Sequence, residues 1–289
     1  MSPAGTQATS SELTLYDLAS QDHCASWSHN ALKTRLLLNY KEIPYKTTWI
    51  EYPDIEPTFK SLKVQPNASG IQYTIPTIQI PELGYVQDSS TIATLLEHRY
   101  PSPSLKIETP ELSQVEDLIP KLQLSIRPLW LPLLAKGLLN DASRVYFEET
   151  RKERVGMDIY EYGEKEGKEK CWEDTEPVVR ELGKLLKAKG GPFIEGDTPT
   201  YADFFIVATL QMINRIDAKI FARLVEMEDS LGKILTKSLP FSTLSRWTIW
   251  PNKGLVQMVE KQELPPQSKN FVPLYQVPTH QTIGTHLEH

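Results

Sequence analysis

Apolar positions recur at two different periods along this chain, and the change of period divides it. Leu13-Thr14-Leu15-Tyr16-Asp17 alternates, which predicts a first strand. After a loop, Ser28-His29-Asn30 opens a stretch with apolar residues at Leu32, Leu36 and Tyr40, one face of a helix. Residues 46–50 are β-rich and predict strand two. Residues 54–63 predict a short helix with Pro57 in its first turn, where a missing amide costs nothing. Strands three and four are expected at 77–80 and 85–87, and a third helix from Ser89 to about Tyr100. The order β-α-β-α-β-β-α is the thioredoxin arrangement. Pro101-Ser102-Pro103-Ser104 stops the last helix and reads as a linker.

Beyond the linker the period is helical throughout. Residues 111–139 predict one long apolar helix, bent at Pro120, Pro128 and Pro132 because each removes an intrahelical bond. Helices are expected over 142–154 and 174–189, the second ended by Gly190-Gly191-Pro192. The charge-dense stretch 160–170 between them predicts a solvated helix or loop. Thr200 and Asp203 have the spacing of a capping box before the apolar run Phe204-Phe205-Ile206. From about Pro251 prolines and polar residues predict an extended tail, and Leu287-Glu288-His289 reads as a vector-derived end. The expected fold is therefore α/β plus all-α. A thioredoxin-like domain over 12–101 precedes a helical bundle domain over 108–250, with the tail over 251–289.

Composition narrows the class. The chain has 289 residues, 40% of them hydrophobic and 24% charged, which is ordinary for a two-domain globular protein. A net charge of −6 with no basic block argues against a nucleic-acid partner. The two cysteines, Cys24 and Cys171, make no disulfide framework and fit a reducing, cytoplasmic setting. Residues 1–11 hold no apolar core and do not read as a signal peptide. The most apolar run, 118–139, is broken by Lys121, Arg127 and Lys136 and is too polar to span a bilayer, so no membrane association is expected. The six histidines contain no H-x3-H pair, and no metal is expected.

The stretch from Tyr73 to Ser90 carries the candidate chemistry. Pro76 cannot donate to a ladder, so the strand it opens lies at a bend or an edge, and a cis Ile75-Pro76 bond is one way to build that bend. The amide and carbonyl of Ile75 would then face outward, free to pair with an extended peptide. About ten residues later Asp88 and Ser89 stand at a helix N-terminus, where free amides and the macrodipole favour a carboxylate. A small anionic peptide suits this pair of features. A hairpin followed by a capped helix explains the same residues without any ligand.

The pairing of (V/I)-P with an acid-Ser resembles the glutathione-transferase family. The run W-S-H-N-A-L-K-T-R-L-L-L-N-Y-K from Trp27, followed by I-P-Y-K-T and E-Y-P-D-I-E-P, is similar to the fungal FuA class, relatives of bacterial β-etherases. The G-D-x-P-(S/T)-x-A-D pattern at 196–203 resembles the capping box of the family's second domain, which makes Asp203 a folding residue. Two departures stand out: His29 where proline is usual, and Ala31-Leu32 for a bulkier pair. The histidine is expected to point to solvent.

What this resemblance implies is a transferase using glutathione as co-substrate. Ser28 would donate a hydrogen bond to the glutathione sulfur while staying protonated, with the Asn30 amide as a second donor. Ile75 and Pro76 would hold the cysteinyl part, and Asp88 and Ser89 the γ-glutamyl ammonium and carboxylate. Lys60 and Lys63 are both candidates for the glycyl carboxylate. Hydrophobic aromatic electrophiles, such as wood phenolics, would meet the thiolate beside Trp27 and Trp130, and plain core packing explains Trp130 equally well. The expected outcome is detoxification, with etherase-like activity as a further possibility and a homodimer as the assembly. The alternative is a ligandin that binds aromatic polyphenols without turnover. Cys24 is a rival centre for thiol–disulfide exchange, although no C-x-x-C motif accompanies it.

Overall fold

The computed structural model describes residues 12–21, 26–68 and 70–242. Four strands form one sheet in the order β2-β1-β3-β4. β1 (Leu13–Leu18) is buried along its whole length and pairs in parallel with β2 (Tyr45–Ile50). β3 (Thr77–Ile80) runs antiparallel to β1, and β4 (Gly84–Gln87) closes an antiparallel hairpin with β3. Three helices complete this half: α1 (His29–Tyr40), α2 (Ile55–Ser61) after a 3-10 turn at Tyr52–Asp54, and α3 (Ser89–Arg99). The observed order matches the thioredoxin arrangement read from the sequence.

Helix α1 is buried on nearly every face, from Ala31 to Leu38, including Lys33, Thr34 and Arg35. A helix sealed on both sides by protein needs its polar side chains paired inside. Arg35 does this: its Nε donates to Asp17 Oδ2 on β1 at 2.8 Å and its Nη2 to Thr47 Oγ1 on β2 at 3.0 Å. Its guanidinium also lies 4.9 Å from the ring centre of Trp49. Removing one member of such a buried pair costs about 3–5 kcal/mol, because the other charge is left unsolvated.

The second half is helical. α4 (Pro110–Ser125) and α5 (Arg127–Gly137) replace the single bent helix expected over 111–139. The chain divides at Ile126, whose carbonyl accepts from both Leu129 and Trp130. Pro128 falls in the first turn of α5, where its missing amide has no partner to lose. Pro120 and Pro132 remain inside their helices. α6 (Asp141–Val155) and α7 (Ile159–Glu166) follow. α8 (Glu169–Lys187) begins five residues before the expected 174, because Cys171 and Trp172 are buried and Arg223 stacks on Trp172 at 4.4 Å. α9 (Tyr201–Ile216), α10 (Ala218–Met227) and α11 (Ser230–Lys237) complete the described residues. The tail from Pro251, including the vector-derived end, lies outside them, as do residues 1–11 and Cys24.

The capping box at Thr200 forms as read. Asp203 is fully buried and accepts from Ile194 N at 2.8 Å, Thr200 N at 2.7 Å and Thr200 Oγ1 at 2.8 Å. Burial pushes its carboxyl up to about 6 despite these donors. Asp203→Ala leaves those donors in a site closed to water and is expected to lower the unfolding free energy by about 2–4 kcal/mol. Urea unfolding checks this through the midpoint at constant m; a loss below roughly 0.5 kcal/mol would contradict the assigned role.

Candidate functional site

Ser28 is the N-cap of α1, in extended backbone with φ −68° and ψ 124°. Its carbonyl accepts from Leu32 N at 2.8 Å, as a cap residue's should. Its hydroxyl makes no capping hydrogen bond. Asn30, in the first turn, is exposed. The residue before the cap, Trp27, is only 3% exposed and joins a buried apolar cluster with Ala31, Ile75, Leu131, Leu134 and Phe147. One cluster thus ties the start of α1 to the segment before β3 and to helices of the second half.

The Ile75-Pro76 peptide is cis. Pairing of β3 with both neighbours begins at Thr77, so Ile75 stands just ahead of the ladders. Among the described residues its amide and carbonyl take part in no backbone hydrogen bond outside the regular elements. The loop before it is held by buried Gln87, which accepts from Thr74 N at 2.9 Å and donates to Gln65 O at 2.9 Å. A cleft of about 460 Å3 opens here, lined by Asn67, Ala68, Ile71, Thr74 and Asp88.

Asp88 caps α3 with backbone in the left-hand half of conformational space, φ 74°. That conformation is uncommon outside glycine and is retained where the surroundings demand it. Its Oδ1 accepts from Ser90 N at 3.0 Å and Thr91 N at 2.9 Å. The sequence reading treated the amides at this helix start as free, and the structure corrects that: Asp88 takes two of them. Ser89 is buried, and its carbonyl accepts from the Tyr201 hydroxyl of α9 at 2.9 Å. Burial raises the Tyr201 phenol, which stays protonated as this bond requires.

A second cleft of about 340 Å3 lies beside α1's first turn. His29, Asn30 and Lys33 line it from α1, Glu116, Ile119, Pro120 and Gln123 from α4, and Phe205 from α9. His29 does not face solvent as expected. Its ring meets Phe205 edge-on at 5.9 Å, and its Nε2 is buried without a partner. Burial, with the Lys33 charge adding to it, pushes its pKa down to about 3. Lys33 is 4% exposed, its ammonium 3.8 Å from the centre of the Phe205 ring.

The two tryptophans expected beside an acceptor share the cluster described above: Trp130 is half-buried against it, and its indole donates to Gln123 O at 3.0 Å. Trp27 packs on Tyr52 at 6.2 Å with its own indole nitrogen buried and unpartnered. It supports a wall and presents no open face of its own. Lys60 is exposed and paired with Glu56 at 2.6 Å.

Comparison with known proteins is consistent across the chain. The family model described as the glutathione S-transferase N-terminal domain matches residues 27–99, and the one described as the C-terminal domain matches 115–239. A glutathione S-transferase-like protein of Aspergillus flavus, UstS, is 34% identical over 221 residues, 70% of this chain and 79% of that protein. The chain belongs to the glutathione S-transferase family.

Among solved structures, the glutathione transferase GSTFuA3 of Phanerochaete chrysosporium is 27% identical with a TM-score of 0.70. The alignment covers 80% of this chain and 97% of that one. A glutathione S-transferase of Ceriporiopsis subvermispora, solved in complex with glutathione, is 28% identical over 89% of this chain and all of that one, with a TM-score of 0.68. The chain is thus a transferase of the fungal type, with the thioredoxin-like and helical halves of that family. No helix among the described residues is long and apolar enough to cross a membrane.

Sequence reasoning passed over Gln87, Lys33, Glu116 and Tyr201. Lys33 carried a signal: a lysine inside the apolar run A-L-K-T-R-L-L-L, three residues from Asn30 and so on the same face. The other three take their places from tertiary contacts alone. The His29 finding has a measurable consequence. Its folded pKa lies below the unfolded value of 6.5, so His29 draws stability out of the fold as pH falls from about 6.5 toward 3. Imidazole nitrogen shifts should show His29 neutral at pH 5, and a midpoint near 6.5 would contradict its burial.

Proposed function

We propose that this transferase activates glutathione through Ser28, whose hydroxyl donates a hydrogen bond to the sulfur and favours the thiolate. The observation that carries the reading is an N-cap serine whose side chain leaves its own helix uncapped. N-cap serines usually accept from the amide two or three residues on. This one has no such bond, at the positive end of a buried helix. A free thiol has a pKa near 8.5, and each unit of depression needs about 1.4 kcal/mol of differential stabilisation. One hydrogen bond to a charged acceptor contributes about 1.5–3 kcal/mol, enough for one to two units. The hydroxyl acts as a donor and is not a nucleophile, and the exposed Asn30 amide is a second donor toward the same point.

The peptide would lie along the segment ahead of β3, pairing its cysteinyl amide and carbonyl with Ile75 beside Pro76. Its γ-glutamyl end would reach Asp88 and Ser89 at the start of α3. The solved complex of the Ceriporiopsis relative with glutathione supports this choice of co-substrate. The acceptor would be a hydrophobic aromatic electrophile, meeting the sulfur where Trp130 lies against the cluster that contains Trp27. The role in this reading is detoxification of such compounds, with etherase-like cleavage where the acceptor carries an aryl ether. A cytoplasmic homodimer acting on small molecules, without a metal, completes the reading.

A second reading, a ligandin for polyphenols, is favoured by apolar side chains left open beside Trp130. Leu124 is 56% exposed and Leu133 39%. Nanomolar binding of hydroxylated aromatics alongside negligible conjugation of a panel of electrophiles would establish it over the catalytic reading.

Ser28→Ala should lower kcat/KM for conjugation by about 10- to 100-fold, the range set by one charge-assisted hydrogen bond. Glutathione binding should change much less, and the ultraviolet thiolate band of the bound peptide should titrate at higher pH. Unchanged turnover would remove Ser28 from the mechanism.

A further inference from the structure

Among the described residues three cations are buried, Lys33, Arg35 and Lys41, and two of them are satisfied by the fold. Arg35 is paired with Asp17 and Thr47. Lys41 donates to Tyr100 O at 2.6 Å and Pro103 O at 2.8 Å, and lies 2.7 Å from Glu97 Oε2. Such partners are what a buried structural cation requires. Lys33 is 4% exposed and has none of them: its ammonium meets the face of the Phe205 ring, 3.8 Å from the centre.

Desolvation without a close counter-charge favours the neutral amine. Burial accordingly holds Lys33 down at about 8, against the more distant pull of Asp88 and Glu116. His29, the other titratable group beside it, is neutral at physiological pH and supplies no counter-charge. At pH 7.5 an amine of pKa 8 is about one-quarter unprotonated, against about one part in a thousand for a solvated lysine. A less basic amine is also a weaker nucleophile, so a net rate advantage of about tenfold is expected.

This amine borders open space. It lines the 340 Å3 cleft, whose apolar walls are Ile119 and Pro120 of α4 and Phe205 of α9. That volume holds one aromatic ring with a short substituent. Glu116 is exposed at the same cleft, and His29 Nε2 is buried there with no partner of its own.

We propose that Lys33 is a covalent capture site for small aromatic aldehydes, its amine forming a reversible imine with the carbonyl carbon inside this cleft. The Nζ lone pair adds to that carbon, and the C=O π pair moves to the oxygen, which takes up the proton that nitrogen gives up. The hydroxyl then leaves as water while C=N forms, so amine and aldehyde give imine and water with no change of oxidation state. Glu116 is the carboxylate placed to carry the proton from nitrogen to oxygen. His29 Nε2 is left to bond a polar atom of the ligand. The capture needs neither Ser28 nor the cleft before β3, and stands apart from the glutathione reading.

Reductive trapping tests this. The full chain is incubated at pH 7.5 with benzaldehyde and sodium cyanoborohydride, which fixes an imine as a secondary amine, and the alkylated lysines are mapped by peptide mass spectrometry. Lys33 should be alkylated about tenfold faster than the exposed Lys152 and Lys219, at a rate that saturates with aldehyde. Urea should abolish the difference. Glu116→Gln should slow Lys33 severalfold and leave Lys152 unchanged. Lys33→Arg keeps the cation and should lose the fast, saturable phase. Alkylation of Lys33 no faster than that of Lys152 and Lys219 in the folded protein overturns the inference. So does a rate that stays proportional to aldehyde concentration, or a fast phase that survives Lys33→Arg.

Discussion

Everything in the site depends on α1 being enclosed. It lies between the sheet and α9, buried from Ala31 to Leu38, with Arg35 locked to Asp17 and Thr47 beneath it. A surface helix slides and frays at its ends, whereas this one is fixed by a charge pair that has no solvent to fall back on. Its first turn is therefore a rigid mount. Ser28 caps that turn, and His29, Asn30 and Lys33 all line the cleft beside it, each in a different environment. The serine hydroxyl is left without a cap partner, the histidine is neutral against Phe205, the asparagine is exposed, and the lysine is charged under cover.

The elements that sequence alone made legible are those built by short-range rules. The four strands followed from alternation and β-branched runs, and Thr200 with Asp203 followed from cap spacing, because both depend on residues a few positions apart. The break at Ile126 did not follow, because three prolines each offered a bend and only packing decides which one ends a helix. The early start of α8 has the same origin in Trp172 meeting Arg223. Residues of the site divide in the same way. Ser28, Ile75, Pro76, Asp88 and Ser89 stood out as local turn and cap chemistry. The free amides expected at α3 were missed because Asp88 turns back on its own helix, a choice made by its positive φ.

Charge gives a further constraint. The whole chain carries −6, and glutathione is itself anionic at neutral pH, so long-range attraction does not bring the two together. Fields from exposed charges fade over about 8 Å at physiological ionic strength. Attraction for an anion is then local, and the starts of α1 and α3 offer it. Exposed lysines add little here. Lys60 is already paired with Glu56, and an exposed pair of that kind contributes little.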